Sequence, residues 1–429
     1  MKYQSYTLKN LHQIKLLNDL PDEIVDSIKV VGQVLPFKSN NYVLEELINW
    51  NNFEKDPLFT LTFPRKEMLK PNDYKIVNQC LNQKELATAV SLIRAGLNPH
   101  PAEQMEKNVP IFNGIPLNGI QHKYRETMLA FPSKGQLCHA FCSFCFRWPQ
   151  FSGIKEKKFA LKNADLMIGY LKEHPEITDV LFTGGDPMIM HAKAFEIFID
   201  AIIKSGIKTV KTIRIGSKTL SFWPYRYLTD SDSDELLDLF KKVTDAGFHL
   251  SFMAHICHEN EMSTDAFKEA VKAIRDTGTI IRTQSPVMQH INDNSENWSN
   301  MWRKQVSLGM IPYYMFVARN TGSHRYFSIP ILKAYDIFRK AYMKVSGVAR
   351  TVRGPIMSAS PGKIGIDGIV DTDKGKVISL SFIQGRNPEW VKRPFFAKYD
   401  EKAVWLDDLK PAFGKSNFFF NEHDVLLKN

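Results

Sequence analysis

The sequence predicts an α/β fold: a partial (β/α)6 barrel of the TIM type, with a helical N-terminal region before it and a small C-terminal region after it. Three observations carry this reading. Between residues 121 and 325 short apolar runs alternate with amphipathic stretches, the pattern of parallel strands joined by crossover helices. The candidate strands number six, which suits a partial barrel better than a closed eight-unit one. Three of the chain's five cysteines fall within eight positions behind the first strand, on the face where such barrels keep their chemistry.

Taken in order, residues 1–120 read as a helical, loop-rich leader with no nameable chemistry. A helix over 85–97 has apolar residues at helical spacing and is ended by Asn98-Pro99. The Pro- and Gly-bearing link N-V-P-I-F-N-G-I-P-L-N-G leads into the barrel, residues 121–325. Its candidate strands are 127–131, 180–183, 210–215, 249–254, 280–284 and 311–317, with helices such as 164–173, 194–204, 234–246 and 264–277 between them. The C-terminal region, 326–429, opens with a helix over 331–343. A strand-like V-I-S-L-S-F-I and an F-F-F run follow, expected to pack and to serve a subunit interface.

Hydrophobic content of 44% and charged content of 24% are ordinary for a globular chain, and no run approaches the ~18 uncharged apolar residues of a membrane span. The N-terminus lacks the apolar core of a signal peptide, so a cytoplasmic, reducing location is expected. The net charge of +10 is spread without a dense tract, which argues for a solvated basic surface rather than a nucleic-acid footprint.

The sequence L-C-H-A-F-C-S-F-C-F-R-W-P at 137–149 places Cys138, Cys142 and Cys145 at spacings of four and three. Three is an odd count for disulfides, and no second Cys or His pair follows to complete a zinc knuckle. A cluster of iron and sulfur is normally held by four thiolates, so three leave one iron open to another ligand. Cys80 and Cys257 are expected to be buried as small hydrophobes. Behind the second strand, Gly184-Gly185-Asp186 lets the backbone approach a ligand and supplies an acceptor. His255 and His258 end a strand with no carboxylate motif to complete a metal set.

C-x3-C-x2-C resembles the signature of the radical S-adenosylmethionine (SAM) enzymes, and the order of motifs resembles one family among them, the lysine 2,3-aminomutases. The segment F-T-L-T-F-P-R-K-E-M-L at 59–69, the triplet His122-Lys123-Tyr124, the segment V-K-T-I-R-I-G-S-K-T-L-S-F-W-P-Y-R at 210–226, Gln284-Ser285, Ile291-Asn292-Asp293 and Pro312-Tyr313-Tyr314 carry the resemblance. It implies a [4Fe–4S] cluster on Cys138, Cys142 and Cys145, with SAM on its open iron near Gly184, Gly185, Asp186, Ser217 and Gln284. It implies pyridoxal 5′-phosphate on Lys363, which stands where the family has a lysine in a glycine-rich turn, and a phosphate held by Lys123 and Tyr124. Arg147 matches the arginine that grips the substrate carboxylate. The implied activity is an amino-group shift between C2 and C3 of an amino acid, started by an electron donor such as flavodoxin or ferredoxin. A homo-oligomer is also expected.

Two positions depart from the family. Members acting on lysine carry an aspartate seven residues after the proline of P-Y-Y, where this chain has Arg319. They carry a second before the glycine-rich turn, where this chain has Arg353. Both acceptors for a distal ammonium are missing, so glutamate or a neutral amino acid is the expected substrate, and Arg319 the residue that reads its far end. The alternatives are a radical modification of a peptide or RNA without pyridoxal phosphate, and a non-catalytic iron–sulfur protein.

Overall fold

The computed structural model describes residues 1–152 and 159–423; residues 424–429 of the C-terminal region lie outside the described residues. One large mixed sheet organises the molecule. Its strands are β1 (Ile120–Tyr124), β2 (Thr127–Ala130), β3 (Asp179–Phe182), β4 (Thr212–Ser217), β5 (His249–His255), β6 (Ile280–Val287), β7 (Ile311–Val317), β8 (Arg353–Ser358), β9 (Gly362–Thr372), β10 (Gly375–Gly385) and β11 (Pro394–Lys398). Each strand pairs with the next in sequence, and the order runs from β1 to β11 without returning, so the sheet is open among the described residues.

The strands from β2 to β8 are parallel. That makes a run one strand longer than the six expected. The extra strand is β8, whose R-G-P-I-M-S reads as a turn because of its glycine and proline, yet it pairs in parallel with β7 through Tyr314 and Phe316. Helices α1 (Ala164–Glu173), α2 (Ala192–Lys204), α3 (Ser233–Asp245), α4 (Asp265–Asp276), α5 (Ser295–Ser307) and α6 (Ile331–Met343) are the crossovers. Their starts are set by caps: Asn163, Thr264 and Asn294 each accept a backbone N–H of the first turn, a contribution of about 1 kcal/mol each. On α4 the buried residues Phe267, Ala270, Val271 and Ile274 recur at helical spacing and face the same core as Ile213, Phe252 and Ile281 of the sheet. Full burial of each large apolar side chain there contributes about 1.5–3 kcal/mol.

The N-terminal region adds a short ribbon, Ser5–Thr7 against Lys38–Asn40, and helices that include Asp22–Val34, Pro71–Gln79 and Gln83–Gly96. Its core includes residues of the loops that leave the carboxyl ends of the strands: Trp148 after β2, Trp223 after β4, Cys257 after β5, Ile291 after β6 and Phe327 after β7. It therefore covers the face of the sheet where the cysteine loop stands. The other end of the sheet continues antiparallel through β9–β11, and Phe418 and Phe420 of the F-F-F run close its core against Phe382 and Phe395.

Candidate active site

The loop after β2 brings Cys138, Cys142 and Cys145 to line a cavity of about 170 Å³, together with Gly184, Gly185, Asp186, Ser217 and Gln284. The glycines are there because the loops touch. A Cβ on Gly185 would lie 2.5 Å from the Leu137 carbonyl oxygen, and one on Gly184 would lie 2.4 Å from Gln136 Nε2. The Asp186 N–H donates to the Leu137 carbonyl at 2.7 Å, tying the Gly-Gly-Asp turn to the residue before Cys138. The Asp186 carboxylate accepts from Ser217 Oγ at 2.9 Å and from the Lys218 N–H at 2.8 Å. Ser217 thus faces the cavity through Asp186.

Burial, with mutual repulsion among the cysteines, pushes the Cys138 and Cys142 thiols well above their ordinary range, and burial pushes Cys145 up to about 11. Thiols in that state need a cationic centre to take them as thiolates, which an iron–sulfur cluster supplies. Among the described residues no three Cys, His, Asp or Glu are gathered as ligands of one ion. A cubane cluster spaces its thiolates more widely than a single ion does, and the shared cavity has room for it. The donor set fits the group.

A second cavity of about 250 Å³ shares a wall of Phe144, Phe146, Arg147, Thr183, His255 and Gln284 with the first. Lys363 enters it from the start of β9, opposite Ser358 of β8 and Gln384 of β10. Its Nζ donates to Gln384 Oε1 and lies over the rings of Tyr124 and Tyr314. Burial, followed by the charges of Arg214 and Arg353, pushes its pKa down to about 7. An amine in that state is the nucleophile that joins an aldehyde at neutral pH. Lys123 donates to the Ala359 carbonyl and is likewise held well below its usual range by burial. Tyr124 is buried beside Ser358.

Arg319 Nη2 donates to the Ser358 carbonyl at 3.0 Å and its hydroxyl at 3.1 Å, while Nη1 is buried without a partner among the described residues. Arg147 lies over Phe131 at 4.4 Å and Phe146 at 5.2 Å, and lines both cavities. Burial pushes both guanidinium groups down to about 10. The second cavity is lined by Lys123, Arg147, Arg214, Arg319 and Lys363, and among the described residues by no Asp or Glu. Arg214 is paired from behind by Asp179 at 2.8 Å. Such a wall selects anions. A phosphate and a carboxylate fit the donors present, and the near-neutral lysine fits an aldehyde cofactor.

All the residues that the sequence assigned to the cluster, the cofactors or the substrate line one or other of these two cavities. Sequence reasoning missed Arg214, Gln384 and the Asp179 partner, since Gln384 meets Lys363 only through strand pairing and the other two act on it only by charge. Arg353 stays out of the cavity lining, its guanidinium 4.2 Å from the rings of both Tyr313 and Tyr314. His255 stacks on Phe144, and His258 caps the turn Glu259–Met262 by accepting the Asn260 N–H. Cys257 is buried as expected. Cys80 is not: it stands half exposed after the helix Pro71–Gln79, at the end of an amphipathic element with few buried positions.

No family model matches the chain. It is 29% identical over 401 residues, 94% of this chain and 95% of the other, to an Aquifex aeolicus protein whose own assignment as an L-lysine 2,3-aminomutase is provisional. It is 26% identical to the L-lysine 2,3-aminomutase of Escherichia coli over 72% of this chain and 84% of that one. With the enzyme from Clostridium subterminale it shares 25% identity over 65% of this chain and 62% of that one. Among solved structures it resembles Streptococcus suis SuiB bound to S-adenosylmethionine, at 12% identity and a TM-score of 0.36, covering 60% of this chain and 51% of that chain. The chain spans about half the length of that protein, and so distant a likeness decides nothing further.

Three cysteines at C-x3-C-x2-C, seated beside a Gly-Gly-Asp turn on an α/β sheet, define an enzyme of the radical SAM class. Within that class the chain is similar to L-lysine 2,3-aminomutases, over 65–94% of its length. The cofactors of that family are a [4Fe–4S] cluster, SAM and pyridoxal phosphate. Among the described residues no helix is long and apolar enough to cross a membrane.

Proposed function

We propose that the protein is a 2,3-aminomutase acting on an acidic amino acid, glutamate before any other, with pyridoxal phosphate on Lys363. The observation that carries this reading is the lining of the second cavity: Lys123, Arg147, Arg214, Arg319 and Lys363, with no carboxylate among the described residues, beside the three-thiol cavity. The cluster would be held by Cys138, Cys142 and Cys145, and SAM would lie against Gly184, Gly185, Asp186 and Gln284. Together the bound cofactors supply a carbon radical and an unsaturated bond through which nitrogen can migrate.

The chain's own residues do the rest. Lys123 and Tyr124 hold the phosphate. Arg147, set between the cavities, orients the α-carboxylate toward the first through its planar fork. Arg319 takes the distal carboxylate, and its unpartnered Nη1 is the donor left for that task. A neutral side chain would leave that nitrogen unpaired, so glutamate fits better. The relatives are named for lysine, but a lysine ammonium would meet Arg319 and, among the described residues, no carboxylate. Leaving it unpaired costs several kcal/mol, and a guanidinium at ~4 Å adds about 4 kcal/mol of repulsion at an effective dielectric near 20. The lysine stem offers about 0.8 kcal/mol per methylene in return, which does not close that gap.

The partial barrel with divisions near 120 and 325, a cytoplasmic location, a low-potential donor of the flavodoxin or ferredoxin kind and a homo-oligomeric state belong to the same reading. The experiment is an absorption spectrum of anaerobically loaded protein. Bands from both the iron–sulfur cluster and lysine-bound pyridoxal phosphate are expected; a cluster without the second band would favour modification of a peptide or RNA.

A further inference from the structure

The N-terminal region, silent in the sequence, supplies most of the hydrogen bonds that hold the cysteine loop from outside. The Lys38 carbonyl accepts the Phe141 N–H at 2.8 Å, and the Leu61 carbonyl accepts the Ser143 N–H at 2.9 Å. The Thr60 carbonyl accepts Ser143 Oγ at 2.7 Å, which gives the segment 59–69 a role. Tyr3 Oη donates to the His139 carbonyl at 2.8 Å, and Lys38 Nζ donates to the Cys138 carbonyl at 2.8 Å. Of these groups only Lys38 brings a charge. It is half-buried and makes no ion pair among the described residues. Lys218, on the Cys142 side, is neutralised by Glu261 at 2.5 Å. Arg147 faces the shared cavity, where a substrate carboxylate would neutralise it.

We propose that Lys38 is a positioning residue for the cluster: pinned on the Cys138 carbonyl, it fixes the loop, and its uncompensated charge favours the reduced cluster. The inference rests on the assignment of the cluster to the three cysteines. Reduction takes one electron from a low-potential carrier and makes no bond, so the cluster with its thiolates gains one negative charge. Asp186 adds another negative charge near Cys138. A cation held beside a buried anion stabilises the more negative state most, and groups behind metal ligands set potentials in this way.

The test is the midpoint potential, read by electron paramagnetic resonance in a redox titration of the anaerobically reconstituted full chain. Wild type is compared with Lys38→Arg, Lys38→Gln, Lys38→Met and Tyr3→Phe. Gln and Met are expected to lose about tenfold in the reduced-to-oxidised ratio at fixed ambient potential, which is about 59 mV downward for one electron. Arg and Tyr3→Phe are expected to stay at the wild-type value. The Gln variant can still donate to the Cys138 carbonyl, so the measurement stands even if the Met variant fails to fold. Wild-type potentials in Gln and Met with iron bound would overturn the proposal, as would an equal fall in Tyr3→Phe. A wild-type protein that binds no iron would overturn the cluster assignment, and this inference with it.

Discussion

The Nζ of Lys363 lies 4.8 Å from the centroid of the Tyr124 ring, which joins the first strand of the sheet to the hairpin near its other end. This amine is pushed down to about 7 by burial and by the charges of Arg214 and Arg353. A lowered pKa leaves the free base populated at neutral pH, where an exposed lysine near 10.4 stays protonated. Borohydride reduction after pyridoxal phosphate loading should therefore label Lys363, by peptide mapping. The rate of capture should climb about tenfold per pH unit below pH ~7 and flatten above pH ~8, since only the free base attacks. Lys363→Ala should lose the label. A label on another lysine would contradict the assignment.

A second prediction concerns the turn behind Cys138. In Gly185→Ala the new Cβ would meet the Leu137 carbonyl oxygen at 2.5 Å, and the neighbour is backbone, so the loop must move. A stability loss of about 1–3 kcal/mol is expected from overpacking, with a larger fall in iron content on reconstitution. Ala in place of Cys138, Cys142 or Cys145 should abolish iron binding, while Ala at Cys80 or Cys257 should retain it. Full iron content and SAM cleavage in Cys138→Ala would remove the basis for the first cavity's role.

Arg319 provides the third. Arg319→Asp replaces a charge-assisted bond of about 1.5–3 kcal/mol with repulsion against a distal carboxylate. Glutamate turnover should fall at least about 100-fold at roughly 1.4 kcal/mol per tenfold, while SAM cleavage remains. Unchanged glutamate turnover in this variant would show that the far end of the substrate is read elsewhere.

The barrel strands were legible because each is an apolar run closed by turn residues. The strand Ile311–Val317 and the helices Ala164–Glu173 and Ile331–Met343 match their sequence expectations residue for residue. The strand Arg353–Ser358 was not legible, since its glycine and proline signal a turn and its place depends on pairing with β7. The leader was read as helical and loop-rich, with a family resemblance at 59–69 but no nameable chemistry. Its ribbon is three residues per strand, too short for any periodicity, and its purpose lies in hydrogen bonds to a loop about a hundred positions away. In the site, the cysteines, the Gly-Gly-Asp turn and Lys363 were visible through spacing and motif order. The Arg214–Asp179 pair was not, because ordinary charged residues acquire meaning only when strands β3 and β4 set them side by side.

The most direct measurement is a competition assay on the anaerobically reconstituted protein, with SAM, pyridoxal phosphate, a strong reductant and equal carbon-13-labelled glutamate and lysine. Products would be followed by nuclear magnetic resonance. 3-Aminoglutarate is expected from glutamate, with 5′-deoxyadenosine formed only when SAM is present. β-Lysine as the dominant product would contradict it.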